Sequence, residues 1–285
     1  MKPWRPQMLI KIGYDLTFNV RGTVPMNLML YVHPSRMNDL SQPEHIHVNP
    51  NTNVISHVDC FGNSVARIIA HPGQLQISAR NTIRDDGLPD PIPAYEIQHD
   101  IQHLPDNVLQ FLLPSRYCEV DRMSDIAWDL FGHIPPGWQR AKAVVDWVHN
   151  HLTFGYRFAR NTRTALDAYY ERVGVCRDFQ HLCCTLHRCL NLPARYVTGY
   201  LGDIGVPYNP APMDFSAWHQ VYLGGQWWDV DGRHNVPRIG RILMATGRDA
   251  ADVALTTQFG PAQLVGFNVV TEEVLEMPAQ VGMMA

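Results

Sequence analysis

No two of the six cysteines stand at C-x-x-C spacing, which leaves the chain without a zinc-finger or thioredoxin-type motif. Six thiols in 285 residues are also too few for a disulfide-dense scaffold. There is no excess of positive charge. A net charge of -4 and a pI near 6.4 give no electrostatic reason to expect nucleic acid or an anionic membrane as partner. No window approaches the length and apolarity of a transmembrane span, and Met1 to Gln7 lack the apolar core of a signal peptide. The expectation is a soluble, cytoplasmic protein. No internal repeat and no low-complexity tract stands out. With 46% apolar and 18% charged residues, the chain has an ordinary globular composition and enough length for a sizeable core.

What is present divides into two halves. Residues 8 to about 115 read as β-rich: Met8–Val20, Val24–Val32, Asn53–Asp59, Val65–Ala70 and Leu75–Ile83 are separated by turns rich in Gly, Pro and Asn. Strands at that spacing predict a sandwich-like module, here assigned to residues 1–115. Asp85 to Pro93 carries three prolines that remove ladder donors, so it reads as loop. The remainder, 116–285, is expected to form a second domain of α+β type, with a loosely ordered tail from about Met277. Pro135-Pro136-Gly137 announces a helix on which Trp138, Ala141, Val145, Val148 and Leu152 recur at helical spacing. Ala165–Tyr170 is a shorter helix. Ala194–Leu201, Ala217–Leu223, Gln226–Asp231 and Phe267–Val270 read as strands.

The stretch Gly174-Val175-Cys176-Arg177-Asp178-Phe179 carries the chemistry. From Phe179 the apolar residues recur at Leu182, Cys183, Leu186 and Leu190, a helix with one buried face that Asn191 and Pro193 stop. Cys176 then sits in the first turn, where unpaired N–H groups and the helix dipole favour a thiolate. Gly174 allows a close backbone approach. Cys183 and Cys189 fall on the buried side, where cysteine acts as a small hydrophobe. His219 follows in one strand, and Asp229 and Asp231 in the next. Cysteine, histidine and aspartate on successive elements form the order that a cysteine acyl-transfer site needs. His45, His47, His57 and Cys60 make a weaker alternative cluster of possible metal ligands, in a surface stretch where 14 histidines make some clustering expected.

The motif Gly174-Val175-Cys176-Arg177-Asp178-Phe179 is followed by Leu192-Pro193-Ala194-Arg195-Tyr196-Val197-Thr198-Gly199-Tyr200, then by Ala217-Trp218-His219 and the Trp227-to-Asp231 frame. Together they resemble the transglutaminase-like superfamily, and in particular its bacterial members grouped with the cysteine proteases. The likeness is strong from about 138 to 247 and weaker in the β-rich start. It implies a papain-like transglutaminase-type catalytic domain with Cys176 as nucleophile, His219 as base and Asp231 as the partner of the histidine. Asp229 is the rival carboxylate, and Asp178 is read as structural. The oxyanion donor is expected to be the Cys176 N–H, with Trp138 or Trp147 as side-chain candidates. Such a site performs amide-bond chemistry through a thioester on a peptide or protein substrate, with peptide or isopeptide hydrolysis ahead of glutamine transamidation or deamidation. It requires no cofactor and no metal. A non-catalytic scaffold on the same fold is the alternative.

One geometric demand goes with this assignment. Side chains alternate along a strand, so His219 and Asp231 share a face only if the hairpin between them has a three-residue loop or a bulge. A plain two-residue turn at Gly224-Gly225 would pair His219 with Val230 and put Asp231 on the other face.

Overall fold

The computed structural model describes residues 8–274, and the expected loose tail from Met277 lies outside them. The first strands are β1 (Met8–Val20), β2 (Val24–Leu28), β3 (His47–Asn49), β4 (Ile55–Val58), β5 (Ser64–Ala70) and β6 (Gly73–Asp85). Strand β1 shows why: Ile10, Ile12, Tyr14, Leu16, Phe18 and Val20 are buried while Lys11, Asp15 and Asn19 are exposed, the period of two that a one-sided sheet requires. Each such large side chain taken fully out of water contributes roughly 1.5–3 kcal/mol. His47 lies on β3 against β6, whereas His57 lies on β4 against β5 in another sheet, so the alternative cluster of possible ligands is split between sheets. Among the described residues no group of three His, Cys, Asp or Glu side chains converges on one point.

The middle of the chain is helical. It contains α1 (Asp106–Leu109), α2 (Val120–Phe131), α3 (Trp138–His151), the short parallel pair β7 (Thr153–Phe154) and β8 (Val173–Gly174), α4 (Ala165–Glu171) between them, and α5 (Cys176–Cys189). Then come β9 (Ala194–Tyr200), β10 (Ser216–Leu223), β11 (Gln226–Val230), β12 (Ile242–Gly247), β13 (Thr256–Gln258) and β14 (Ala262–Glu273). Strands β9 to β12 form an antiparallel sheet in the order β11-β10-β9-β12. Helix α5 packs between that sheet and α2, α3 and α4. It is buried on every side from Asp178 to Cys189, not on one face as its apolar period implied. Its polar residues are held by specific partners: Arg188 Nε donates to the Ala194 carbonyl at 3.0 Å and Thr185 Oγ1 to the His181 carbonyl at 2.7 Å. No helix among the described residues is long and apolar enough to cross a membrane.

The expected α+β class is what the chain adopts, with antiparallel sheets over residues 8–85 followed by the mixed region. The division at about 115 needs correction. The C-terminal strands return to the first layer: β14 pairs with β1 over Ile10–Val20, and β13 pairs with β2. They complete two four-stranded sheets, β14-β1-β6-β3 and β13-β2-β5-β4. Tyr200, Phe215, Ile242 and Met244 from the second region enter the same core as Ile12, Phe18 and Met26. Residues 116–285 are therefore not one separate domain, because β1 and β2 would otherwise leave their outer hydrogen-bonding edges open.

The β10–β11 hairpin takes the simple form. Leu223 pairs with Gln226 and His219 with Val230, joined by a two-residue turn with Gly224 at φ 59° and Gly225 at φ 88°. Positive φ at both positions is the type I′ turn that matches strand twist, and it favours Gly-Gly. The expectation of a three-residue loop or bulge is overturned. Nothing lies within 4 Å of a Cβ added at Gly225, so a substitution there reads backbone strain alone. Gly225→Ala is expected to lower the unfolding free energy by about 1 kcal/mol, and Gly225→Asn by less. Urea denaturation with an unchanged m-value checks this; equal stability in all three proteins would contradict the turn assignment.

Candidate active site at the head of helix α5

Cys176 is the first residue of α5, as its place before the apolar run implied. The turn that holds it is built around Asp178. This carboxylate is fully buried; its Oδ2 accepts the Val175 N–H at 2.9 Å and pairs with Arg163 at 3.1 Å, and Oδ1 lies 3.3 Å from Arg177. A Cβ on Gly174 would stand 2.7 Å from the Asp178 Cβ, so the glycine is needed for the carboxylate to reach back. Asp178 is structural, as expected.

The Cys176 side chain is partly buried and lines a polar cleft with Tyr156, Asp214, Ser216, Arg233 and His234. Burial pushes its thiol pKa up; Arg233 and the backbone N–H groups of Ala217 and Arg177 oppose this, and Asp214 adds to it. The resting group is thus a thiol, and the thiolate expected from the helix terminus does not prevail against desolvation. The other thiols differ in setting: Cys118, Cys183, Cys184 and Cys189 are buried in the protein core, and Cys60 is exposed in the N-terminal layer.

His219 is not brought to Cys176. Strand β10 runs alongside α5, with Ala217 beside Cys176, His219 beside Gln180 and Val221 packed with Cys184. At about 3.3 Å per residue, His219 sits roughly 10 Å along the strand from the cleft residue Ser216. It is fully buried. Its Nδ1 meets Gln180 Oε1 at 2.6 Å, its ring packs on His187 at 5.2 Å between centroids, and Nε2 has no partner. Burial, reinforced by His187, holds its pKa well below the usual histidine value, although Asp231 pulls the other way. A neutral, enclosed imidazole one helical turn below the sulfur is poorly placed to exchange a proton with it.

Asp231 lies one residue beyond the end of β11, so the alternation of the strand no longer fixes its direction. Its carboxylate is buried and accepts four kinds of partner. Gln180 Nε2 donates to Oδ1 at 2.9 Å, as do the Arg233 and His234 N–H groups at 2.9 and 3.3 Å. His234 Nδ1 lies 2.8 Å and Arg241 Nη2 3.2 Å from Oδ2. Burial works to raise its pKa, but His234, Arg241 and the backbone donors outweigh that and hold it far below the ordinary carboxylate range. His219 and Asp231 are therefore linked only through the Gln180 amide. The direct His219–Asp231 contact expected for the triad is absent: Gln180 stands between them, its Oε1 on His219 Nδ1 and its Nε2 on Asp231 Oδ1.

The rival Asp229 is committed elsewhere: its Oδ1 accepts from Trp218 Nε1 at 2.6 Å and from its cross-strand neighbour Gln220 at 2.8 Å. Neither expected tryptophan lines the Cys176 cleft. Trp138 borders a separate cavity beyond Asp231, and Trp147 stacks on His151 at 4.1 Å. The residue that the sequence reading passed over is His234. Its signal was there in Asp231-Gly232-Arg233-His234, where an aspartate starts a tight turn and can bond the side chain three residues on.

Residues 126–232, which contain Cys176, His219 and Asp231, match the family model of the Transglutaminase-like superfamily. An uncharacterised protein of Mycobacterium leprae (strain TN) is 25% identical over 259 residues, covering 88% of this chain and 91% of its own. A crystal structure named "Putative Cysteine Protease" from Cytophaga hutchinsonii superposes with a TM-score of 0.83 at 29% identity, covering 94% of this chain and 91% of that one.

The buried imidazoles make a prediction about acid stability. Burial lowers the His187 pKa to about 4, against a hydrogen bond to the Ala141 carbonyl that works to raise it. An unfolded histidine takes up its proton near pH 6.5, so this group's contribution is complete above pH 6.5 and is lost as pH falls towards 4. The slope is up to about 1.4 kcal/mol per pH unit. Glu44, pushed up to about 7 by burial, has the opposite sign in the same window. The difference between the wild type and His187→Gln therefore isolates the histidine. Denaturant melts at pH 7.5, 5.5 and 4.5 are expected to show this difference shrink as pH falls; a constant difference would refute the assignment.

Residues 126–232 of this chain thus carry the likeness to the Transglutaminase-like superfamily, and Cys176 within them opens helix α5.

Proposed function

We propose that the protein performs cysteine-dependent amide-bond chemistry, with peptide or isopeptide hydrolysis ahead of amine transfer. The observation that carries this reading is the position of Cys176: a thiol at a helix N-terminus, opening into a polar cleft beside an imidazole that is held by a buried carboxylate. The likeness to the Cytophaga hutchinsonii protein supports it. The sulfur attacks an amide carbonyl, its proton passes to the leaving amine by way of the imidazole, and a thioester remains on Cys176. Water then releases the acid. The Cys176 N–H, among the unpaired donors of the first turn, is suited to receive the carbonyl oxygen. Nothing in these steps calls for a cofactor, and the substrate is a peptide or protein.

One observation favours the scaffold reading instead. The thiol pKa is raised, and among the described residues no imidazole hydrogen-bonds the sulfur. On that reading the cleft binds a peptide without cutting it.

Turnover decides between them. A peptide library with and without a primary amine, read by mass, is expected to show new carboxyl termini in preference to amine adducts. Acid-quenched protein should carry an acyl group on the peptide containing Cys176. Cys176→Ala should abolish both signals, a loss of at least about 1000-fold, with an unchanged circular-dichroism spectrum. Product formation at the wild-type rate by Cys176→Ala would sink the enzyme reading.

A further inference from the structure

We propose that the imidazole working with Cys176 is that of His234, oriented by Asp231, and that His219 is a structural group of the core. This rests on the Cys176 reading above and names the residue that completes it. The sequence pattern pointed to His219 because it follows Ala217-Trp218 in a strand; the packing takes it away from the cleft. His234 has each property that His219 lacks. It lines the cleft that Cys176 lines, and it is the histidine that does so among the described residues. Its side chain is 23% exposed, so the ring reaches solvent. It makes no hydrogen bond through Nε2 within the described residues, which leaves that nitrogen open to the cleft.

The support beneath His234 is what a general base needs. Asp231 is ionised and buried, and its Oδ2 lies 2.8 Å from His234 Nδ1. An ionised carboxylate can only accept, so Nδ1 carries the proton and Nε2 is the basic nitrogen. The other carboxylate oxygen holds the backbone of the same turn through the Arg233 and His234 N–H groups. Gln180 and Arg241 fix Asp231 in turn, and Arg241 Nε is itself anchored at 2.8 Å to Asp90 Oδ2. Ring orientation, tautomer and charge compensation are all set by groups that do not depend on substrate.

The proton balance is as follows. His234 Nε2 takes the Sγ proton of Cys176, directly or through one water, as sulfur forms its bond to the substrate carbonyl carbon. The carbonyl oxygen carries the negative charge. When the C–N bond breaks, the imidazolium returns that proton to the departing amine, leaving neutral imidazole and the thioester. A water molecule then gives a proton to Nε2 while its oxygen adds to the thioester. Sulfur departs and recovers the proton, which restores the thiol and releases the acid.

The test reads the sulfur itself, so it needs no substrate. The rate of Cys176 alkylation by iodoacetamide is measured from pH 5 to 10 by peptide mass, since Cys60 is also exposed. Wild type is expected to show a limb that depends on the imidazole. His234→Gln should lose that limb and react at least about tenfold more slowly at pH 7, and its turnover should fall about 100-fold. In His234→Gly, added imidazole should restore both. His219→Gln should keep the wild-type alkylation profile. A wild-type profile in His234→Gln, or no recovery of His234→Gly by imidazole, would overturn the assignment even if Cys176→Ala is inactive. Full activity of Cys176→Ala would overturn the Cys176 chemistry on its own.

Discussion

The buried carboxylate of Asp231 is the constraint on which the site depends. It sits where the edge strand β11 ends, and it ties together elements distant in sequence: α5 through Gln180, the 232–235 turn through its backbone donors and His234, and the segment after Pro237 through Arg241. A lone buried carboxylate would be costly, and removing one partner from such a cluster is worse than never having built it. With Arg241 and several hydrogen bonds in place the charged form persists. That charge then fixes the proton on His234 Nδ1 and sets which nitrogen faces the cleft.

A second carboxylate, Asp178, does the corresponding work at the head of α5. It satisfies a donor at the start of the helix and neutralises Arg163, an arginine almost wholly removed from water. The nucleophile candidate is thereby attached to a turn that cannot relax without stranding a charge. The two clusters lie at the two sides of one cleft, one holding the sulfur and the other the imidazole. The thiol itself receives less help. Burial raises its pKa more than Arg233 and the nearby N–H groups lower it, which favours the thiol over a standing thiolate.

The β layers contribute by closing around this centre. Because β14 seals the open edge of β1, and Tyr200, Phe215 and Ile242 extend the first core into the second region, β9, β10 and β12 are held from both sides. The short segment from Asp203 to Phe215, which supplies Asp214 to the cleft, is anchored at each end in that shared core.

Local sequence determined a good deal. The period-two burial of β1, the helical spacing in α3, the stop after Cys189, the loop at the three prolines and the place of Cys176 at a helix head all follow from steric and solvation rules acting over a few residues. The Gly-Gly hairpin did too: Gly224 and Gly225 specify a two-residue turn, and that rule overrode the register which a His219–Asp231 pair demanded. What the tertiary structure decided is which histidine shares a cleft with the cysteine. That depends on the phase of β10 along α5 and on a chain reversal after Val230 that turns Asp231 back to the helix. Both are set by long-range packing, with Gln180 and Arg241 as the partners. The sequence lists 14 histidines of identical chemistry, and only burial and neighbours make one of them a core residue and another a cleft residue held by a carboxylate.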